Sequence, residues 1–331
     1  MNKLTIENAS NILENAAGKK IAVIGDIMID RYFWGNVTRV SPEAPVPVID
    51  LDSETFHLGG AANVANNIRS LGCKPYIFGV LGDDKEGELF LNESTIYGID
   101  TGGIFIDNKR PTTVKTRIIG NNQQIARLDK ENKISLTSEG EEYIINKIQE
   151  YDDLDAIIFE DYNKGAVTER LIKEVIKVSL ERNTPVFVDP KEKNFYSYQN
   201  VTVFKPNRRE AAIAFGEELK DLSSVREAGK YLLKKMNCDN LLLTVGSEGM
   251  LLFEKNGDVS SVPTRARHVA DVSGAGDTAI GTLAVSYAAG ADIRDSAAMA
   301  NFAAGVVCES PGIVPIEKEP LLEMIKRNNV S

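Results

Sequence analysis

The sequence predicts an α/β fold in which helices cover both faces of a mostly parallel sheet. Three observations support this fold class: short, continuously apolar segments recur along the chain, amphipathic segments separate them, and several apolar segments end in an aspartate. Strands that are buried on both faces are apolar throughout, and a helix between two strands makes them parallel. At 331 residues the chain is long enough to bury a large core.

The predicted strands and helices follow one another in chain order. Five apolar segments are predicted strands: IAVIGD (21–26), PYIFGVLGD (75–83), DAIIFED (155–161), PVFVDP (185–190) and NLLLTVG (240–246). Two segments have the apolar spacing of helices: AANVANNIRSLG (61–72) and TERLIKEVIKVSLERN (168–183). The aspartates that end three of the strands are predicted either to face a ligand at the carboxyl edge of the sheet or to cap helices.

Two segments, 31–56 and 110–130, interrupt this alternation. Both alternate in the manner of β-strands, are rich in Thr, Val, Ile and aromatic residues, and contain no helix between their strands. We predict that they form one small antiparallel sheet that stands off the main domain as a lid. The apolar face of such a sheet has to be covered, either by the mouth of an active site or by a second subunit.

The composition restricts the class of partner. Acidic residues outnumber basic ones by 48 to 38, and the net charge of −10 argues against nucleic acid as the main partner. The N-terminal segment is polar and amphipathic, and no segment reaches the roughly 18 apolar residues of a membrane span. We therefore expect a cytoplasmic protein without a membrane partner.

The cysteine and histidine residues favour neither a disulfide framework nor a zinc site. Cys73, Cys238 and Cys308 are odd in number and far apart, so we expect buried, reduced thiols. The sequence has two histidines, His57 and His268, and no paired cysteines. A charged catalytic centre is therefore expected to use carboxylates, lysines or arginines.

A glycine-rich turn, DVSGAGDTAIG (271–281), leads into an apolar helix. Glycine permits the positive φ angles that turn successive backbone N–H groups toward one point, and the helix dipole adds positive charge there. Gly274, Ala275 and Gly276 therefore form a candidate anion hole, and Asp277 can accept a proton from a hydroxyl group. The alternative is that Asp277 merely complements the helix N-terminus. The spacing excludes a P-loop and a Rossmann first turn.

Four motifs together resemble the ribokinase-type (PfkB) family of sugar and nucleoside kinases, in the family's order and over nearly the whole chain. They are LGGAANVANNIRSLG (58–72), KPNRRE (205–210), TVGSEG (244–249) and DVSGAGDT (271–278). The resemblance implies a ribokinase-like three-layer α/β/α sandwich with a small β-sheet lid. It also implies ATP as the phosphate donor, Mg²⁺, and a homodimer that pairs through the lid.

Three further segments resemble the kinase domains of ADP-heptose synthesis enzymes. They are GDIMIDRYFWGNVTRVSPEAPVPVI (25–49), NNQQIARLD (121–129) and EDYNKG (160–165). This resemblance implies phosphorylation of the C1 hydroxyl of D-glycero-β-D-manno-heptose 7-phosphate, a precursor of lipopolysaccharide core sugar. Bifunctional members carry a nucleotidyltransferase domain with an HxGH motif. That motif is absent here, so we expect a single kinase domain over 1–331.

The resemblance assigns roles at the phosphate side of the site. It implies that Asp277 is the catalytic base and that Gly274, Ala275 and Gly276 form the anion hole. Asn207 and Glu210, the N-x-x-E of KPNRRE, match the group that positions Mg²⁺, directly or through water. Thr244, Gly246 and Gly249 match the nucleotide-phosphate loop. Asn301 matches a residue of the adenine pocket, with a structural hydrogen bond as the alternative.

On the sugar side, the resemblance implies that Asp30 holds vicinal hydroxyl groups. Gly59 and Gly60 would let the sugar approach the backbone, or form a tight turn, and Asn63 would add a donor and an acceptor. Asp161 is assigned either to sugar binding or to structure. A sugar that carries a distal phosphate also needs a cationic clamp. The candidates are Arg127, Lys164 and Lys191, and a solvated surface charge is the alternative for each.

Some positions depart from the family pattern. Glu160 stands beside Asp161 and would add negative charge near the anion site. Ile316 stands where some members offer a hydroxyl to a monovalent cation near Asp271, which argues against cation activation.

Three other functions are alternatives to the heptose kinase. Another kinase of the family, acting on fructose, ribose or a different sugar phosphate, would share the catalytic residues. A non-catalytic sugar-binding protein would not need Asp277, Asn207 and Glu210 together. A dehydrogenase would need an early GxGxxG motif, which the sequence lacks.

Overall fold

Strands from the whole length of the chain form one large and one small sheet in the computed structural model, which describes residues 4–264, 269–310 and 312–329. His268 lies outside these described residues. The strands are β1 (Lys20–Gly25), β2 (Ile27–Val40), β3 (Pro47–Gly60), β4 (Lys74–Gly82), β5 (Asp100–Asp107), β6 (Thr113–Gly120), β7 (Gln123–Lys130), β8 (Ala156–Glu160), β9 (Val186–Asp189), β10 (Val203–Phe204), β11 (Asn240–Thr244), β12 (Met250–Glu254) and β13 (Val259–Val262).

The large sheet has the strand order β13-β12-β11-β10-β9-β8-β1-β4-β5. Its pairs are parallel except at one edge, where β11, β12 and β13 run antiparallel. All five predicted strands belong to this sheet. The register pairs Gly25 with Glu160 and Glu160 with Asp189, so the carboxyl ends of three neighbouring strands meet at one edge.

Helices cover both faces of the large sheet. They are α1 (Ile6–Asn15), α2 (Ala61–Ser70), α3 (Lys85–Ile96), α4 (Ser138–Glu150), α5 (Glu169–Arg182), α6 (Arg208–Phe215), α7 (Leu222–Met236), α8 (Ala275–Ala288), α9 (Ile293–Cys308) and α10 (Lys318–Asn329). Alternate residues of β1 face opposite layers: Ile21 and Val23 pack with α2, α8 and α9, whereas Ala22 and Ile24 pack with α4 and α5. The predicted three-layer sandwich is confirmed.

The small sheet, which we call the lid, has the order β3-β2-β6-β7. The β2–β3 and β6–β7 hairpins are antiparallel, but β2 and β6 pair in parallel. The prediction of a purely antiparallel lid is therefore wrong at its central pair, because two separate hairpins join through strands that run in the same direction. The lid also begins closer to the main sheet than predicted, at Ile27 and Gly60.

Two of the predictions concern the cysteines and membrane-spanning segments. Cys73 and Cys238 are buried free thiols, as predicted, whereas Cys308 is only half-buried, so the expectation of burial is wrong for this residue. No helix in the described part of the chain is both long and apolar enough to cross a bilayer.

Candidate active site

Helix α8 begins at the glycine-rich turn. Gly274 is its N-cap residue, with a φ of 77°, and a Cβ atom there would lie 2.9 Å from the side-chain nitrogen of Asn63. Both the positive φ and this contact require glycine. The first N–H groups of a helix have no partner within it, so the turn presents backbone donors beside Asp277, which lies in the first turn of α8. The amide of Ala275 donates to the Val272 carbonyl at 3.3 Å, and the anion hole at Gly274, Ala275 and Gly276 stays a prediction.

Asp277 is buried, with 5% of its surface exposed. Its Oδ2 accepts a hydrogen bond from Asn63 Nδ2 at 2.8 Å, and its Oδ1 accepts one from the Tyr162 hydroxyl at 2.7 Å. Burial raises the pKa of Asp277 to about 6, even though both hydrogen bonds favour the ionised form and act in the opposite direction. The carboxyl group is therefore held in one orientation and takes up a proton as pH falls through about 6.

A second charged layer lies next to Asp277 at the ends of β8 and β9. Lys205 forms a buried ion pair with Asp189 at 2.6 Å. Burial, together with the charge of Asp189, raises the pKa of Glu160 well above its usual value, and its Oε2 has no partner among the described residues. This favours the neutral form of Glu160. Burial and the charge of Asp189 thus act against the negative charge that the sequence leads us to expect at Glu160.

Asn207 and Glu210 form a capping box at the start of α6. Asn207 Oδ1 accepts from the Glu210 amide, and Glu210 Oε2 accepts from the Asn207 amide, both at 2.9 Å. The other oxygen of Glu210 accepts from Lys191 at 2.6 Å. Asn207 and Glu210 therefore cap α6, a structural role that the N-x-x-E spacing also predicts.

The donor set of the cleft can be compared with the needs of Mg²⁺. Among the described residues no three His, Cys, Asp or Glu side chains are grouped to hold a metal ion. Oxygen-bearing side chains, Asp189 and Asn207, nevertheless line the cleft in front of α8. This set fits an ion that keeps most of its water and binds chiefly through nucleotide phosphates, which is how Mg²⁺ usually binds.

Two adjoining cavities meet at the start of α8. The first, of about 360 Å³, is lined by the predicted nucleotide residues Thr244, Gly246, Gly249 and Asn301, together with Cys308 and residues of α8 and α9. The second, of about 480 Å³, is lined by Tyr162, Lys191, Lys205, Asn207, Gly274 and Asp277 among others. Thr244, Gly246, Val272 and Gly276 border both cavities. A molecule in the first cavity can therefore reach Asp277.

Two residues of the first cavity show how it is built. Gly249 has a φ of 90°, and a Cβ atom there would lie 2.2 Å from the Val262 carbonyl oxygen, so only glycine fits. Asn301 lines the cavity, but its Nδ2 donates to the Pro263 carbonyl at 2.8 Å. Asn301 therefore lines the cavity and also forms the structural hydrogen bond that was its alternative role.

The predicted sugar residues cluster where the lid leaves the main sheet. Asp30 is buried and forms an ion pair with Arg117 of β6. A Cβ atom at Gly59 would lie 2.2 Å from Asp30 Oδ2. Gly60 is the N-cap residue of α2, with a φ of 58°, and Asn63 in the first turn of that helix donates a hydrogen bond to Asp277. The structure therefore brings Asp30 beside Gly59 and Gly60, and Asn63 of the following helix connects this group to Asp277.

Asp161 lies away from both cavities. Its carboxylate accepts from the Asn163 amide at 2.8 Å, from Asn194 Nδ2 at 3.0 Å and from the Tyr198 hydroxyl at 2.9 Å. Of the two roles predicted for Asp161, sugar binding and structure, these contacts favour the structural role. None of the three strand-end aspartates is an N-cap residue, so the capping alternative is wrong for all of them.

Asp26, at the end of β1, stabilises the loop that carries Tyr162. Its buried carboxylate accepts hydrogen bonds from the backbone N–H groups of Tyr162 at 2.8 Å, Lys164 at 3.1 Å and Ala166 at 2.9 Å. This bonding fixes the loop at the carboxyl edge of the sheet. The position of Tyr162 beside Asp277 depends on it.

All three predicted clamp residues are ion-paired. Arg127 makes a two-pronged contact with Asp129, with both nitrogen–oxygen distances at 2.9 Å. Lys164 pairs with Glu131 at 2.5 Å, and Lys191 pairs with Glu210 at 2.6 Å. Only Lys191 lines the cleft in front of Asp277.

Residues 18–319 match the description "pfkB family carbohydrate kinase". The chain belongs to the pfkB family of carbohydrate kinases. Solved structures of pfkB-type kinases share its fold. Escherichia coli phosphofructokinase-2 in complex with potassium has a TM-score of 0.77 and a sequence identity of 14%. Arabidopsis thaliana ribokinase complexed with ribose and ATP has a TM-score of 0.71 and a sequence identity of 19%. Each alignment covers 94% of this chain and 99% of the other.

Curated relatives of this chain carry the name bifunctional protein HldE, among them proteins of Desulfatibacillum aliphaticivorans and Helicobacter pylori. That of Desulfatibacillum aliphaticivorans is 41% identical over 303 residues, which cover 91% of this chain and 62% of the relative. That of Helicobacter pylori is 39% identical, over 94% of this chain and 71% of the relative. The chain therefore spans about three fifths of the length of the first of these relatives.

Sequence reasoning missed four residues at or beside this pfkB-type site: Tyr162, Lys205, Arg117 and also Lys115, whose Nζ lies 5.2 Å from the centroid of the Tyr162 ring. Tyr162 and Lys205 lie inside motifs that were recognised, EDYNKG and KPNRRE, next to residues with assigned roles. Lys115 and Arg117 are two residues apart on a predicted lid strand, so they share a face. That spacing was the available signal.

Proposed function

We propose that this chain is an ATP-dependent kinase that phosphorylates the C1 hydroxyl of D-glycero-β-D-manno-heptose 7-phosphate. One observation carries the proposal: a buried carboxylate, Asp277, lies at the glycine-rich start of a helix, where two side chains hold it and two cavities meet. A general base of this kind can deprotonate an alcohol while backbone N–H groups stabilise a phosphoryl group.

The choice of sugar is supported by likeness. The lid segments and EDYNKG resemble heptose kinase domains, and the relatives named HldE align over more than nine tenths of this chain. The half-buried cations near Tyr162 suit an acceptor that itself carries a phosphate. Lys191 already pairs with Glu210, so with a neutral hexose it is Lys115 that would keep a charge without a partner.

In the proposed reaction the sugar binds between the main sheet and the lid, with Asp30 on its hydroxyl groups. Asp277 takes the proton of the C1 hydroxyl as that oxygen attacks the γ-phosphorus of ATP. The bond from the γ-phosphorus to the β–γ bridging oxygen breaks, and ADP leaves. Lid closure excludes water, which would otherwise compete as the acceptor. Mg²⁺, when bound, would supply positive charge that offsets the negative charge of the phosphates.

The same proposal includes a homodimer formed through the lid. Exposed apolar side chains on the lid strands support it, notably Val40, Leu51, Ile125 and Leu128. An open sheet with apolar side chains in water is a typical pairing surface.

The test is coupled ADP release with a panel of sugars that includes heptose 7-phosphate, its unphosphorylated form, fructose 6-phosphate, fructose and ribose. We expect heptose 7-phosphate to give the highest kcat/KM. Turnover confined to neutral sugars would instead identify a general sugar kinase. No turnover on any sugar, with sugar binding retained, would identify a binding protein.

Asp277→Asn is expected to lower kcat by about 10²- to 10⁴-fold, the usual contribution of a general base, while the Kd of ATP stays unchanged. Asp295→Asn is the matched control, because it removes a carboxylate from the first turn of α9. An unchanged kcat in Asp277→Asn would overturn the assignment of the base.

A further inference from the structure

The predicted clamp residues already have anionic partners within the protein. Arg127, Lys164 and Lys191 are each paired with a carboxylate at 2.9 Å or less. A phosphate group could bind them only in competition with these carboxylates. Another cation near the acceptor side would therefore be a better partner for an anionic ligand.

Lys115 is such a cation. It lies on β6 and is half-buried, and in the part of the chain that the structure describes it forms no ion pair and no hydrogen bond. Its Nζ lies over the ring of Tyr162, 5.2 Å from the ring centroid. Burial lowers the pKa of Lys115, against the opposing charge of Asp30. A partly desolvated ammonium group without a carboxylate partner is unfavourable until an anion binds it.

The register of the lid explains why no carboxylate compensates Lys115. Asp30 and Asp129 are its direct neighbours on β2 and β7. Asp30, however, pairs with Arg117, and Asp129 pairs with Arg127. The face that carries Asp30 and Lys115 thus has one cation in excess.

The position of Lys115 relates it to the acceptor rather than to the nucleotide. Tyr162 lies between Lys115 and Asp277: its hydroxyl donates to Asp277 and its ring faces Lys115. Lys115 would thus meet a part of the sugar remote from the hydroxyl that reacts. The described residues that line the nucleotide cavity lie between Thr244 and Cys308, and none belongs to the lid.

We propose that Lys115 binds the phosphate group that the acceptor sugar already carries, and so selects a sugar phosphate over a neutral sugar. The proposal rests on the proposed kinase function and refines its substrate class. It replaces Arg127, Lys164 and Lys191 as the primary phosphate contact. Arg117 acts through Asp30, as a positioning residue.

The experiment compares Lys115→Met with Lys115→Arg and with the control Lys130→Met. Lys130 lies on β7, on the opposite face of the lid, where it contacts Asp84 and Glu86. We expect Lys115→Met to raise the KM of heptose 7-phosphate by about 10- to 100-fold, the usual effect of losing a charge-assisted hydrogen bond, with the KM of ATP unchanged. We expect Lys115→Arg to recover most of the loss and Lys130→Met to stay within about twofold of the original protein.

The decisive quantity is the preference for heptose 7-phosphate over unphosphorylated heptose, expressed as a ratio of kcat/KM values. Lys115→Met should reduce this ratio by the same factor and leave kcat/KM for the neutral sugar unchanged. An equal loss on both sugars would mean that Lys115 only supports the lid. A higher KM for ATP would mean that it contacts the nucleotide. Either result overturns the proposal.

Calorimetry with both sugars separates this proposal from the proposed reaction. If the original protein binds heptose 7-phosphate more tightly than heptose, and Lys115→Met loses that difference, the phosphate contact holds even when no turnover is measured. If the original protein shows no preference between the two sugars, the phosphate contact is wrong even when turnover is observed.

Discussion

Asp277 combines two properties that work against each other at the scale of single residues. Burial disfavours its charged form, yet the charged form is the one that accepts a proton. Hydrogen bonds from Asn63 and Tyr162 limit the effect of burial, so that the pKa settles at about 6. The carboxylate is therefore a stronger base than an exposed aspartate and still ionised at neutral pH.

The pH dependence of the reaction should reflect this pKa. Because only the ionised Asp277 can accept the proton, kcat/KM is expected to fall about tenfold per pH unit below pH 6 and to level off above it. A pH–rate profile between pH 5 and 8 measures the change. A limb centred near pH 4 would show that Asp277 titrates as an ordinary aspartate.

Stability should change with pH in the opposite sense. The pKa of Asp277 is higher in the folded chain than in the unfolded chain, so its contribution to stability is fully present below about pH 4 and is lost as pH rises through 6. Asp277→Asn is therefore expected to raise the free energy of unfolding by roughly 2–4 kcal/mol at pH 7.5, and by much less at pH 4.5. Urea unfolding of both proteins at the two pH values tests this. Lower stability of the variant at pH 7.5 would contradict it.

Tyr162→Phe removes the hydroxyl that favours the ionised form of Asp277. We expect the acid limb of the pH–rate profile to move to higher pH by about one pH unit. Tyr198→Phe is the control, because it removes a similar bond to Asp161, outside both cavities. A limb that moves equally in both variants would indicate a general loss of structure.

At the scale of secondary-structure elements, the N-x-x-E motif is both a helix cap and part of the cleft wall. Asn207→Ala removes the cap of α6 and is expected to lower the free energy of unfolding by about 1 kcal/mol. Asn207→Asp keeps an equally good capping group and should stay near the original stability. Urea unfolding of the three proteins provides the comparison, and equal stability of all three would show that the cap contributes nothing.

How far these elements could be predicted depends on how local their determinants are. The strands of the large sheet and the start of α8 follow from apolar runs and glycine positions within a few residues. The parallel pairing of β2 and β6 joins hairpins about 80 residues apart, and no local pattern encodes it. The ion pair of Lys191 with Glu210 is also long-range, whereas that of Arg127 with Asp129 could have been predicted, since residues two apart share a strand face.

At the scale of the whole molecule, the lid leaves apolar side chains in water. Leu51 and Leu128 are 56% and 57% exposed. If the lid pairs two subunits, Leu51→Glu combined with Leu128→Glu should convert a dimer into a monomer at micromolar concentration in sedimentation velocity. Ile213→Glu is the control, because Ile213 on α6 is similarly exposed, at 53%. A dimer that survives the double substitution would locate the interface elsewhere.

The lid is continuous with the body of the protein through the residues around Asp30. Strand β2 is 14 residues long, about 45 Å of extended chain, and its first residue is paired with Gly60. The contacts predicted for the sugar therefore lie at the base of the lid, whereas the far end of β2 is exposed to solvent. A small rotation at Gly59 and Gly60 is magnified along β2, so a ligand that alters the backbone there by a few degrees would displace the far end by several ångströms.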